Sequence, residues 1–200
     1  MGGNATPWQK TVEHIAVTMK QNITILIGIG ANLPDALGRS PRETVLAAIE
    51  TLRSCPAWAV TAISGLWETA PVPVSDQPWY VNAVVAAETA LTPEAVLQGL
   101  HAIEARFGRT RTLRWEARVL DLDLLAYGDL VRAGDQMQGV VVPHPRVAER
   151  AFVLRPLAEV APDWRHPATG MAVATLIAAV DPDQACRPVV NPDLVTPDRS

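Results

Sequence analysis

The chain has 200 residues, 48% of them hydrophobic and 19% charged, with a net charge of −4 at pH 7. That is enough chain to bury the core of one ordinary domain, and the acidic balance argues against general nucleic-acid binding. No apolar run approaches the ~20 residues of a membrane span, residues 1–20 lack the apolar stretch of a secretion signal, and Cys55 and Cys186 show no zinc-like spacing, which fits a reduced, cytoplasmic protein.

Residues 1–20 read as a flexible extension, since Met19 offers an internal start; the opening Met1-Gly2-Gly3 lacks the polybasic follow-up of a lipid anchor. Residues 21–186 form one expected domain, and 187–200, rich in Pro and Asp, a flexible tail. Within the domain, residues 23–29 are apolar and β-branched, a strand. Ser40-Pro41-Arg42-Glu43 is a capping box with proline at the first helical position. It opens a helix with Val45, Leu46, Ile49 and Leu52 on one stripe. A strand at 58–63, a proline-rich loop at 70–78 and a third strand at 79–87 follow. Thr92-Pro93 starts a second helix, with Val96, Leu100, Ile103 and Phe107 on its core side and Gly108 past its end. A fourth strand covers 119–127, and shorter helical segments are predicted around 146–160 and 171–179. This β-α-β-β-α-β order predicts an α+β, ferredoxin-like antiparallel sheet with added C-terminal helices.

The fourth strand carries the strongest chemical signal. Leu120, Leu122 and Leu124 alternate with Asp121 and Asp123, so the two carboxylates share one face, roughly 6.5 Å apart. Such a pair repels and is costly to desolvate without a positive partner. Hard oxygen ligands favour Mg²⁺. A lone Asp-x-Asp is more often a solvated face or a salt-bridged edge. Here Arg106, Arg109, Arg111, Arg114 and Arg118 stand just upstream, and arginine forks beside Mg²⁺ are the usual means of holding phosphates.

Other candidates are weaker alone. Tyr80 and Asn82 share a strand face and suit a planar heterocycle, or are a core tyrosine and a backbone-satisfied amide. Glu104 lies in the last turn of its helix, where the macrodipole disfavours an anion; an arginine or a ligand is its expected partner, and His101 one turn earlier faces the same ligand or solvent. Pro143-His144-Pro145 and Arg150-Ala151-Phe152 offer a donor, a cation and a ring, or plain packing. Gly28-Ile29-Gly30 has no third glycine and no helix close behind it, so a dinucleotide loop is rejected, and no P-loop motif occurs.

Taken in order, Ile29-Gly30-Ala31-Asn32-Leu33, Asp76-Gln77-Pro78-Trp79-Tyr80-Val81-Asn82-Ala83, Ile103-Glu104, Gly108-Arg109, Arg114-Trp115 with Arg118, Leu120-Asp121-Leu122-Asp123-Leu124-Leu125, and Val142-Pro143-His144-Pro145 through Arg150-Ala151-Phe152-Val153-Leu154 resemble the 6-hydroxymethyl-7,8-dihydropterin pyrophosphokinase family. The resemblance spans roughly residues 23–165 and implies a folate-biosynthesis enzyme, acting as a cytoplasmic monomer on ATP and the reduced pterin. By that likeness Asp121 and Asp123 would bind two Mg²⁺ and, with Arg109, Arg111 and Arg118, form the catalytic set. Tyr80 and Phe152 would sandwich the pterin, Asn82 and Thr69 would read its polar edge, and Val72 would contribute backbone. Arg109, Arg111, Arg118 and Arg150 would contact ATP phosphates, with His101, Glu104, Leu124 and His144 around the nucleotide. Trp115, in the loop that closes over the site, would serve both ligands. Glu116-Ala117 and Ala70 depart from the family pattern, which puts loop closure in question but not the chemistry. An RNA-recognition module and a non-catalytic nucleotide sensor are the rivals; the first lacks its aromatic motif, and the second has no need of two aspartates. The arginine-rich loop at 107–117, with a glycine hinge and no apolar periodicity, is expected to order on binding nucleotide.

Overall fold

Local chemistry sets the helix starts. In the computed structural model, which describes residues 22–71, 78–108, 119–133 and 139–189, the Glu43 N–H donates to the Ser40 hydroxyl at 3.3 Å, and the Ser40 N–H returns a bond to Glu43 Oε2 at 2.8 Å. Helix α1 (Pro41–Arg53) therefore begins at its capping box. It buries Thr44, Val45, Ala48, Ile49 and Leu52. Leu46 departs from the predicted stripe and is 44% exposed, because one residue's step of about 100° carries it off the face that holds Val45. Helix α2 (Pro93–Arg106) is capped by Thr92, whose hydroxyl accepts the Ala95 N–H at 3.3 Å. It ends at Gly108, whose φ of +87° is the left-handed geometry of a helix stop.

The sheet has six strands among the described residues, ordered β5-β1-β4-β3-β6 with β2 also paired to β4. They are β1 (Ile23–Ala31), β2 (Ala59–Ile63), β3 (Trp67–Thr69), β4 (Tyr80–Thr89), β5 (Asp121–Tyr127) and β6 (Cys186–Pro188). Every pairing is antiparallel. The predicted four strands are present, and β3 and β6 are additions. Strands β2 and β3 lie along the same edge of β4, joined through Ser64, whose N–H donates to the Val84 carbonyl at 3.0 Å and whose hydroxyl accepts the Val84 N–H at 2.9 Å. Strand β6 corrects the expected tail. Arg187 and Pro188 belong to the sheet, pairing with Glu68 and Trp67; residues 190–200 lie outside the described residues, as do residues 1–21.

One face of the sheet packs Ile25, Ile27, Ile29, Val85 and Leu122 against α1 and α2. The other packs Leu26, Val84, Ala86 and Leu125 against α3 (Ala151–Val160) and α4 (Val173–Ala179). The helical segment predicted around 146–160 is a 3-10 turn at Val147–Glu149 followed by α3. Alternation along β5 holds from Asp121 to Leu124 and then breaks. A register shift against β1 at Leu26/Ile27 is a bulge, so Leu124 and Tyr127 pack in one core while Leu125 and Ala126 pack in the other. No helix of the described residues is long and apolar enough to cross a membrane.

Candidate active site

Cross-strand register assembles the site. Gly30 in β1 stands opposite Asp121 in β5 and opposite Asn82 in β4; Gly28 stands opposite Asp123 and Val84. Directly opposed residues share a face, so the acidic pair and Asn82 rise from the same side of the sheet with two glycines between them. The lane between them is bare because glycine has no Cβ. A Cβ at residue 30 would come within 3.1 Å of Asn82 Oδ1, and one at residue 28 within 3.2 Å of the Leu125 side chain. The Gly-x-Gly pair is thus a strand floor.

Asn82 is buried, and its amide donates to Thr69 Oγ1 at 2.9 Å. Thr69 is itself buried and pairs in register with Tyr80, which is half-buried. By alternation Tyr80 and Asn82 share the face of the acidic pair. The layer above that face brings Arg150 and Phe152. Arg150 Nη1 lies 3.9 Å from Asp123 Oδ2, with its guanidinium carbon 5.5 Å from the Phe152 ring centroid. A cleft between the walls is lined by Thr69, Ala70, Ala151, Phe152, Gln184, Ala185 and Cys186. Gln184 and Ala185 were not singled out from sequence, and Cys186 was read only for its spacing from Cys55.

His144 joins the same group electrostatically. Its pKa is lowered to about 4, chiefly by burial and then by the Arg150 guanidinium, with Asp121 pulling up and Arg146 pushing down. Nδ1 accepts the Arg146 N–H at 3.1 Å, so the neutral ring carries its proton on Nε2. In the ligand-free protein, NMR should find the ring neutral down to about pH 5.5. The fold favours the neutral ring, so its contribution to stability is complete above about 6.5, the unfolded value, and is lost as pH falls from there towards about 4. Denaturant melts of His144→Asn should show a shallower loss across that window. A ring titrating near 6.5 in the folded protein would refute the assignment.

Other predicted residues sit elsewhere. Glu104 is 1% exposed on α2, in the opposite layer, and its Oε1 accepts the Leu122 N–H at 2.8 Å. The carboxylate that the helix dipole disfavours holds the outer edge of β5, between the two aspartates in sequence. His101, half-buried, lies one turn earlier on α2. The Leu124 side chain is packed in the core beneath α1 and α2, so only its main chain is available to a ligand. These residues and the acidic face meet only around the edge of β5. Val72, Arg109, Arg111, Trp115 and Arg118 lie outside the described residues, as do Arg114 and Glu116-Ala117.

The oxygen donors of the acidic pair are of the kind that holds a hard cation. Asp121 and Asp123 are half-exposed, and among the described residues no cluster of three or more His, Cys, Asp or Glu side chains suited to a metal ion is found. Two carboxylates on one strand face suit Mg²⁺, which is commonly held by one or two carboxylates, waters and substrate phosphates.

Comparisons with known proteins agree with this chemistry. The sequence profile described as 7,8-dihydro-6-hydroxymethylpterin-pyrophosphokinase (HPPK) matches residues 26–162. The Pseudomonas aeruginosa 2-amino-4-hydroxy-6-hydroxymethyldihydropteridine pyrophosphokinase is 39% identical over 155 residues, covering 78% of this chain and 90% of the relative. The Methylorubrum extorquens protein of the same name is 41% identical over 157 residues, covering 78% and 92%. Among solved structures, a Plasmodium falciparum HPPK-DHPS triple mutant with SDX-DHP superposes with a TM-score of 0.63 at 12% identity, covering 84% of this chain and 46% of that one. This last likeness speaks to fold alone.

Proposed function

Because the chain belongs to the 7,8-dihydro-6-hydroxymethylpterin-pyrophosphokinase family, we propose that the face shared by Asp121, Asp123, Asn82 and Phe152 is where it moves pyrophosphate from ATP to 6-hydroxymethyl-7,8-dihydropterin, a step of folate biosynthesis that releases AMP. The observation that carries the assignment is the glycine lane: an acidic pair suited to metal-bound phosphates stands abreast of an amide suited to a heterocycle edge.

The pterin lies between Tyr80 and Phe152, with Asn82 and Thr69 meeting its donors and acceptors and the Val72 main chain completing the edge. Its hydroxymethyl oxygen attacks the β-phosphorus of ATP. The new O–P bond forms as the bond from that phosphorus to the α,β-bridging oxygen breaks, AMP leaves with the bridging oxygen, and the hydroxyl proton is released. Asp121 and Asp123 would hold two Mg²⁺, which when bound neutralise the charge on the phosphate oxygens. Arg109, Arg111, Arg118 and Arg150 grip the triphosphate and hold it in line. Arg150 is already oriented towards Asp123. His144, neutral, donates from Nε2 to a phosphate oxygen. His101 and the Leu124 main chain face the nucleotide around the β5 edge, Glu104 fixes that edge, and Trp115 covers the assembled pair.

The core order β1-α1-β2-β4-α2-β5, with β5-β1-β4-β2 across the sheet, supports a ferredoxin-like β-α-β-β-α-β core carrying β3, β6, α3 and α4 as additions. The protein is further read as a cytoplasmic monomer, which sedimentation tests. For the activity, the protein is incubated with ATP, Mg²⁺ and the pterin. AMP and pterin diphosphate are expected in equal amounts. ADP would mean a different phosphoryl transfer, and no product would favour a sensing domain.

A further inference from the structure

Helix α3 begins at Ala151, and its N-cap residue, Arg150, makes no side-chain cap. The first N–H groups of a helix need partners from elsewhere. One comes from 33 residues further along the chain: Gln184 Oε1 accepts the Ala151 N–H at 2.9 Å, while Gln184 Nε2 donates to the Glu149 carbonyl at 2.8 Å. A single amide thus bonds the peptide groups on both sides of Arg150. A Gln amide supplies an uncharged donor and an uncharged acceptor side by side on one planar group. Arg150 is the extended joint (φ −113°, ψ 112°) between the 3-10 turn and α3.

The next two residues tie the opposite wall. The Ala70 N–H donates to the Ala185 carbonyl at 3.2 Å, and Cys186 pairs in register with Thr69. One short stretch therefore joins the Thr69 side of the cleft to the Arg150 side. It lies beyond the matched residues, 26–162.

We propose that Gln184 is a positioning residue for the transfer: its amide brackets Arg150 and sets where Arg150 and Phe152 stand against Thr69 and Asn82. This rests on the site reading above, so its test carries controls for that reading. Affinity for 6-hydroxymethylpterin is measured by calorimetry with Mg²⁺ and a non-hydrolysable ATP analogue, alongside steady-state kinetics. Gln184→Met keeps length and packing but removes both hydrogen bonds, and pterin affinity should fall about 10-fold, the scale of one or two lost bonds. Gln184→Glu keeps the acceptor but turns a charged oxygen on the Glu149 carbonyl, and it should lose affinity too; it also serves if the Met variant fails to fold. Because Gln184 acts through Phe152, adding Gln184→Met to Phe152→Ala should cost far less than it does alone. A purely stabilising cap would instead give additive effects.

Affinity and turnover within about two-fold of the parent in a folded Gln184 variant, or losses that simply add, overturn the proposal. If Phe152→Ala and Asn82→Ala both leave pterin affinity untouched, the site reading fails and the proposal falls with it. If those two lose affinity and Gln184→Met does not, the positioning role alone is wrong.

Discussion

Asp121→Asn and Asp123→Asn should each lower turnover by about 10²–10³-fold, the scale of losing one group that stabilises transition-state charge, while the fold survives. Both side chains point away from the core beneath α1 and α2, and the Asp123 side chain is 36% exposed. Asn is nearly isosteric, so packing hardly changes and the charge is what is removed. With one carboxylate gone, Asp121 or Asp123 alone would hold Mg²⁺ less well, and the charge that Mg²⁺ would neutralise on the triphosphate would weigh more in the transition state. Asp123→Asn also strips Arg150 of its anionic neighbour at 3.9 Å, so its effect should extend further into nucleotide binding. Release of AMP at saturating ATP and Mg²⁺, with circular dichroism for the fold, measures both. Near-normal turnover in either variant would remove the metal assignment.

The second large effect is expected from the aromatic pair. Tyr80→Ala should weaken pterin binding by ~1–3 kcal/mol, the range for a base stacked on an aromatic ring, with ATP affinity changed much less. Phe152→Ala should weaken the pterin similarly but also reach ATP, because its ring lies 5.5 Å from the Arg150 guanidinium carbon. Tyr80 rises from β4 and Phe152 from α3, so a pterin stacked on both would sit between two separate elements. Equal losses for pterin and ATP in Tyr80→Ala, by calorimetry, would point to a packing role instead.

Much of this site was legible wherever a local pattern carried it. The Leu/Asp alternation placed both carboxylates on one face, and the capping box at Ser40, the Thr92-Pro93 start and Gly108 placed the two helices that pack on the sheet. Glu104 was visible as an anion at the wrong end of a helix, and the Leu122 N–H, 18 residues along the chain, is one of its partners. What stayed hidden depended on contacts between distant residues. Strands β3 and β6 have three residues each, too few for a period of two to stand out. The Asn82–Thr69 hydrogen bond exists only because β3 pairs with β4. The bulge in β5 falls within Leu124-Leu125-Ala126, where every side chain is apolar and the pattern does not register which core each one joins. Gln184 reads as one more polar residue near the expected tail; its significance lies in Glu149 and Ala151.

Asp121, Gly30 and Asn82 occupy neighbouring strands in direct register, and this gives the protein a built-in ruler. Adjacent strands lie about 4.8 Å apart, so the backbones bearing Asp121 and Asn82, the proposed phosphate and pterin sides, stand about 9.5 Å apart. Main-chain hydrogen bonds set that spacing. Surrounding loops can admit the reactants, shut out water or change how often the encounter succeeds, but they cannot alter this interval, which comes only in whole strand widths. Nor can it be retuned gradually, because sliding β1 by one residue turns every side chain to the other face. Loop variation should therefore change the speed of the transfer while the separation of its two partners stays constant.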